Sequence, residues 1–287
     1  MKKTQKSKDS LSMRSFHKLI SNRLAMFGLF FLILIIVLCM LAPILTPYDP
    51  MALNPKEKLM PMSWEHPLGT DQLGRDLFSR ILYGGRLTIG ISLTSSILSS
   101  LLGVILGCIS GYYGGKVDSA IRTVGEFISC FPSTILTLLV MAFVGQTIFW
   151  IMVVWVLTGW VGSMRMVRSK ILSLKEEPYV DSCRANGVSS ASIMFRHLLP
   201  NTIGTVIVGL TMNVANKVLA EAGLSFLGMG ISPSDPSWGN IINAAKSMNV
   251  MINSPQLWII PGIVISIFVL SCNFFGDGLR DALDVTQ

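Results

Sequence analysis

Charge is what this sequence has least of. Asp, Glu, Lys and Arg make up 14% of its 287 residues, against about 25% in an ordinary soluble domain. So few charges cannot cover a surface that faces water, whereas a surface against hydrocarbon needs none. Histidine is scarce as well. His17, His66 and His197 are the only 3, too far apart to mark a site, and there is no HExxH zinc motif. The phosphate-binding pattern GxxxxGK[ST] is missing too: Gly115-Lys116 is followed by Val117, and Ser110 stands where the earlier glycine belongs. The chain itself is therefore not expected to hydrolyse ATP. Its 5 cysteines form an odd count with no CxxC and no ligand spacing. Cys39, Cys108, Cys130 and Cys272 lie in apolar runs and Cys183 in a polar loop, so all read as small packing residues. Gly223-Leu224-Ser225-Phe226-Leu227-Gly228 misses the GxSxG serine elbow by one place, and no apolar segment brings a histidine to it. No enzyme, cofactor or metal site is expected.

What is abundant is apolar sequence, at 51% of the chain. A helix needs about 20 apolar residues to cross the hydrocarbon core. Leu24–Leu45 is uncharged over 22 residues, longer than the roughly 7–15 of a secretory signal's apolar region, and reads as a retained first span. Leu87–Tyr113 gives a second. Phe127–Met164 is uncharged over 38 residues, too long for one crossing. The turn residues Gly145-Gln146-Thr147 divide it into a third span (about Ile121–Val144) and a fourth (about Ile148–Met164). Asn201–Ala222 is a fifth and Leu257–Phe275 a sixth. The expected fold is an all-α integral membrane protein of six transmembrane helices. The longest polar stretches, about 35 to 40 residues, are too short to bury a core of their own. The expected division is an N-terminal segment 1–23, a first helix with its external loop 24–86, a five-helix core 87–277 and a tail 278–287.

The formal net charge is +7. Its distribution points to membrane topology rather than nucleic acid. With both termini inside, 16 of the 23 Lys and Arg fall on cytoplasmic segments, as the positive-inside rule requires. The expected location is the plasma or inner membrane, with the N-terminus and the C-terminus cytoplasmic.

On that side lies Glu176–Asn201, EEPYVDSCRANGVSSASIMFRHLLPN. Pro178 suits a helix's first turn, with Glu176 and Glu177 at its positive end. Gly187 fits a C-cap, and Ser189 or Ser190 an N-cap. Ile193, Met194 and Leu198 give the second helix an apolar side, and Pro200 helps end it. Two short helices broken at a glycine make a compact knob of the kind that presses into a soluble motor subunit; the plainer alternative is a structural hairpin. On the other side, Thr70 or Asp71 can cap a helix with Leu73, Leu77 and Ile81 on one face, opposite Arg75, Asp76 and Arg80; it lies on the outer membrane surface or packs on the chain's own spans. Lys217 and Glu221, spaced i, i+4, are candidates for a pathway site or for a structural pair.

The knob resembles the "EAA" signature of ATP-binding-cassette (ABC) importer permeases. Asp181-Ser182-Cys183 stands in place of Glu-Ala-Ala, Gly187 follows at the family spacing, and Leu199-Pro200 closes the motif. The resemblance covers nearly the whole chain. Leu68–Arg80 looks like the LGTDxxGRDxxSR stretch of dipeptide, oligopeptide and nickel permeases. Gly111-Tyr112-Tyr113-Gly114-Gly115, Leu224–Gly230 with Pro236-Ser237-Trp238-Gly239, and Gly276–Asp281 resemble their later signatures. The resemblance implies a C-type permease with the type I importer fold. Its partners would be a second homologous permease, two cytoplasmic ABC ATPases and an extracytoplasmic substrate-binding protein, all in membrane lipid. It implies coupling to the ATPase through Asp181, Ser182, Cys183, Ala185, Gly187, Leu199 and Pro200. Leu224, Ser225, Phe226, Gly228, Gly230 and Trp238 would form the external mouth or meet the binding protein. Di- or oligopeptides are the implied cargo, with nickel or a metal chelate as the alternative. A stand-alone channel or secondary carrier is the reading from a different class, and it would have no use for the knob.

Overall fold

The structure, a computed structural model, describes residues 16–283. Most of the basic N-terminal segment, including Lys2, Lys3, Lys6 and Lys8, lies outside the described residues, as do the last four positions of the expected tail. Helix α1 is Arg23–Met40, capped by the Asn22 side chain, which accepts from the amides of Leu24 and Ala25 at 3.1 Å each. Helix α2 is Leu77–Tyr113, α3 Gly115–Ser129, α4 Ser133–Val144 and α5 Ile148–Leu174. The short α6, Pro178–Ala185, precedes α7, Ile203–Phe226. Trp238–Ala244 forms α8, Met248–Asn253 α9 and Gln256–Leu283 α10.

Five helices are each long and apolar enough to span, and the pair α3 and α4 makes up to a sixth crossing. That pair is not the straight third span expected: it bends by 74°. Pro132 sits at the break and denies residue 131 the helical conformation. Pro261, by contrast, lies inside α10, which continues past it.

The second correction concerns α2. No separate helix starts at Thr70 or Asp71, and of the two expected placements it is packing on the chain's own spans that residues 77–81 show. Residues 70–76 form a turn closed by a Thr70–Asp76 bridge, and the second span starts at Leu77, ten residues early. Asp76 is the N-cap, accepting from the Ser79 amide at 2.7 Å. Arg75, Asp76 and Arg80, expected opposite the apolar face, are buried with Leu77 and Ile81, while Leu73 is exposed. The Arg75 Nε donates to Asp71 at 2.7 Å, His66 Nδ1 pairs with Asp76 at 2.8 Å, and Arg80 Nη1 reaches the Pro50 carbonyl at 3.0 Å. These contacts knit residues 46–80 into an ionic cap over one end of the bundle.

Small residues set how closely the helices pack. A Cβ at Gly103, Gly107 or Gly111 of α2 would come within 2.5, 2.7 and 2.8 Å of α5 atoms. Spaced four apart, they form one face on which two backbones approach closely, the usual solution where lipid offers no hydrophobic drive. Near the chain ends, Gly278 of α10 lies against Ala25 of α1, and Gly204 of α7 against Leu283. The described ends of the chain therefore emerge at the same end of the bundle, together with the last turns of α2 and α5 and the segment 178–202. The ionic cap and α8 occupy the opposite end.

Candidate functional site

At the chain-terminal end, α6 begins with Pro178 at its first turn, as the sequence predicts. It ends in a Schellman turn. Gly187 has φ +73°, its amide donates to Arg184 O at 3.0 Å, and the Val188 amide donates to Cys183 O at 3.0 Å. Ser189 then caps Ser190–Ser192, accepting from the Ser192 amide. From there the chain stays helical but changes pitch, with a π turn at Ile193–Leu198 and a 3-10 turn at Leu199–Asn201 leading into α7. Pro200 therefore marks a change of pitch and not a stop. Val180, Ile193 and Leu198 are buried against Val104 and Cys108 of α2 and Val167 and Ile171 of α5. Tyr112 at the end of α2 donates to Ser190 Oγ at 3.3 Å. The knob is thus seated on both helices, while Asp181 (68% exposed side chain), Ser182, Ala185 and Gly187 face outward. Cys183 and Leu199 are half-buried, and Pro200 is exposed at the foot of α7.

Lys217 and Glu221 do not pair with each other. Each finds its partner on α2, which the i, i+4 spacing could not show. Lys217 Nζ donates to Ser99 Oγ at 2.9 Å. Glu221, 1% exposed, accepts from Ser225 Oγ at 2.7 Å and Thr88 Oγ1 at 3.2 Å. Thr88 Oγ1 in turn accepts from the Trp238 amide at 3.3 Å. Glu221 thus staples α2, α7 and α8 together beneath the ionic cap.

The external-mouth residues divide. The fifth span runs four residues past Ala222 to Phe226 and ends in a second Schellman turn, with Gly228 at φ +79° and the Met229 amide donating to Leu224 O at 3.0 Å. Leu224, Ser225, Gly230 and Trp238 are buried within the chain. Trp238 packs edge-on against Phe268, and its Nε1 donates to Ile81 O at 3.0 Å. Phe226 and Gly228 are exposed, and so is Leu227, which sequence reasoning passed over. Gln146 Nε2 donates to the Gly228 carbonyl at 2.8 Å, tying this turn to the one between α4 and α5.

Long apolar helices packed through small residues, with a polar seam inside and a helical knob outside, define a multi-pass membrane protein. Residues 103–285 match the family of binding-protein-dependent transport system inner membrane components, and the chain belongs to it. It is a permease subunit with the type I importer fold, one component of a larger transport system. Residues 10–61 match a second family, the N-terminal transmembrane domain of oligopeptide transport permease C. The oligopeptide transport system permease protein OppC of Escherichia coli is 40% identical over 266 residues, covering 92% of this chain and 87% of that protein. The dipeptide transport system permease protein DppC of Bacillus subtilis is 36% identical over 277 residues, covering 96% of this chain and 86% of that protein. OppC of the same organism is 35% identical over 264 residues, 92% and 86% of the two chains. These names do not favour nickel.

Proposed function

We propose that this chain is one of two permeases in an ATP-driven importer for di- or oligopeptides. The observation that carries the reading is the knob at Asp181–Gly187, seated by its apolar side on α2 and α5 with its polar face free, in a chain whose relatives are named for peptides. The basic loops favour the knob end as cytoplasmic. Two ABC ATPases then bind there, one on this knob and one on that of a homologous partner permease. An extracytoplasmic binding protein delivers the peptide to the opposite end, where Phe226, Leu227 and Gly228 are the exposed contact points. Closure of the ATPases on ATP moves the knobs. The helices follow, and access to the peptide switches from outside to inside.

The test is affinity purification of the tagged chain from membranes, with uptake of labelled di- and oligopeptides and of nickel in a deletion strain. Copurified ATPases and loss of peptide uptake are expected. Purification without them supports a stand-alone carrier instead, and loss of nickel uptake alone moves the cargo to metal.

A further inference from the structure

A cavity of ≈ 790 Å³ opens between α5, α7 and α10 at the knob end. Its lining carries two cations, Lys170 of α5 and Arg280 of α10, and two carboxamides, Asn201 and Asn213. Among the described residues no carboxylate lines it. Asp277 and Asp281 neighbour Arg280 in sequence but lie off the lining, and among the described residues neither Lys170 nor Arg280 has an acidic partner within 4.0 Å. One helical turn beyond Asn213, on the same face of α7, is Lys217. It is 8% exposed, its described bond is to Ser99, and it too has no acidic partner among the described residues. On α5 the facing position is Gly159, where a Cβ would lie 3.7 Å from Lys217 Nζ. Ser163, Met166 and Lys170 follow at helical spacing and line the cavity. Lys170 on the cavity lining and Lys217, buried one turn beyond it, therefore stand about 17 Å apart along the helix axis. On α2, between Thr88 and Ser99, the hydroxyls of Ser92, Ser95 and Ser96 are buried without partners.

An ammonium group held deep among membrane helices marks a functional site by default, and the carboxylate one turn away, Glu221, is taken up by Ser225 and Thr88 rather than by Lys217. A cavity lined by two cations and two carboxamides, with a third cation one turn beyond it, suits an anion. We infer that Lys217, Lys170 and Arg280 form a track that receives the carboxylate of the transported peptide and passes it towards the knob end. This rests on the peptide reading above, since every unmodified peptide carries such a carboxylate. Lys217 holds the group at mid-membrane depth, and Lys170 and Arg280 hold it at the exit.

The test uses the complete transporter reconstituted in vesicles, with two labelled tripeptides that differ only in a terminal carboxylate or carboxamide. The ratio of acid to amide transport is the readout, because a merely structural lysine would lower both alike. Lys217→Met is expected to lower that ratio about tenfold and Lys170→Gln about threefold, while Lys217→Arg keeps it. An unchanged ratio in both Lys217→Met and Lys170→Gln overturns the inference, and Lys170→Gln, at an exposed position, covers the case in which Lys217→Met fails to assemble. Vesicles of phosphatidylcholine alone are compared with vesicles containing phosphatidylglycerol. An effect seen only with the anionic lipid also overturns the inference, by making the track a lipid site. Transport of neither peptide by the unsubstituted complex overturns the peptide reading itself, and this inference with it.

Discussion

Trp238 is fully buried between α2 and α10, and its indole N–H holds the Ile81 carbonyl at 3.0 Å. Truncating an aromatic so enclosed leaves a cavity and an orphaned acceptor, and such losses cost about 3–5 kcal/mol. Trp238→Ala is expected to lower the melting temperature of the purified protein sharply, while the exposed Phe226→Ala leaves it unchanged. Equal melting of the two variants would return Trp238 to the surface role its motif implied. The sequence offered no means of separating them, since both sit in glycine-rich stretches outside the apolar runs. Lys217 and Glu221 show the same limit. Four-residue spacing makes a pair feasible, but the antiparallel α2 places Ser99 beside one and Thr88 beside the other, and sequence does not say which helix is the neighbour.

Gly187 belongs to the scale of the element, because its left-handed backbone lets α6 end where it does. A Cβ there meets nothing within 4 Å, so the cost of Gly187→Ala is conformational, about 1–2 kcal/mol. Gly187→Pro is harsher, since it fixes φ negative and removes the amide that bonds Arg184 O. Membrane insertion is expected to survive both. Uptake should fall several-fold with alanine and vanish with proline, together with ATPase copurification; normal uptake with normal ATPase contact in Gly187→Pro would end the coupling assignment. This knob was legible because Pro178, Gly187 and Ser189 each have one favoured position at a helix end. The start of α2 was not. Counting uncharged residues stops a span at Arg86, but a helix does not end at a charge. Arg86 stays in α2 with its guanidinium 5.7 Å from the Tyr83 ring, and Arg80 bonds the cap.

For the whole molecule, the helix order and a count of five to six crossings were legible from apolar length and the turn residues at Gly145-Gln146-Thr147, and the bend at Pro132 was not, because apolar composition is blind to direction. With Ala25 against Gly278, the described ends of the chain share one end of the bundle, so tags at the N-terminus and C-terminus should both resist protease added to intact cells. External cleavage of either would reverse the assigned orientation. The 37 residues of α2 have a mechanical consequence. At 1.5 Å per residue the helix is about 55 Å long, nearly twice the roughly 30 Å hydrocarbon core. One tip is clamped in the ionic cap, and the other carries Tyr112 bonded to Ser190 in the knob. No proline interrupts it. Such a rod works as a lever: a tilt of about 5° about one tip swings the other by about 5 Å over that length. A displacement of the knob, such as the proposed ATPases would deliver, is then felt at the other end of the bundle without any relay of side chains.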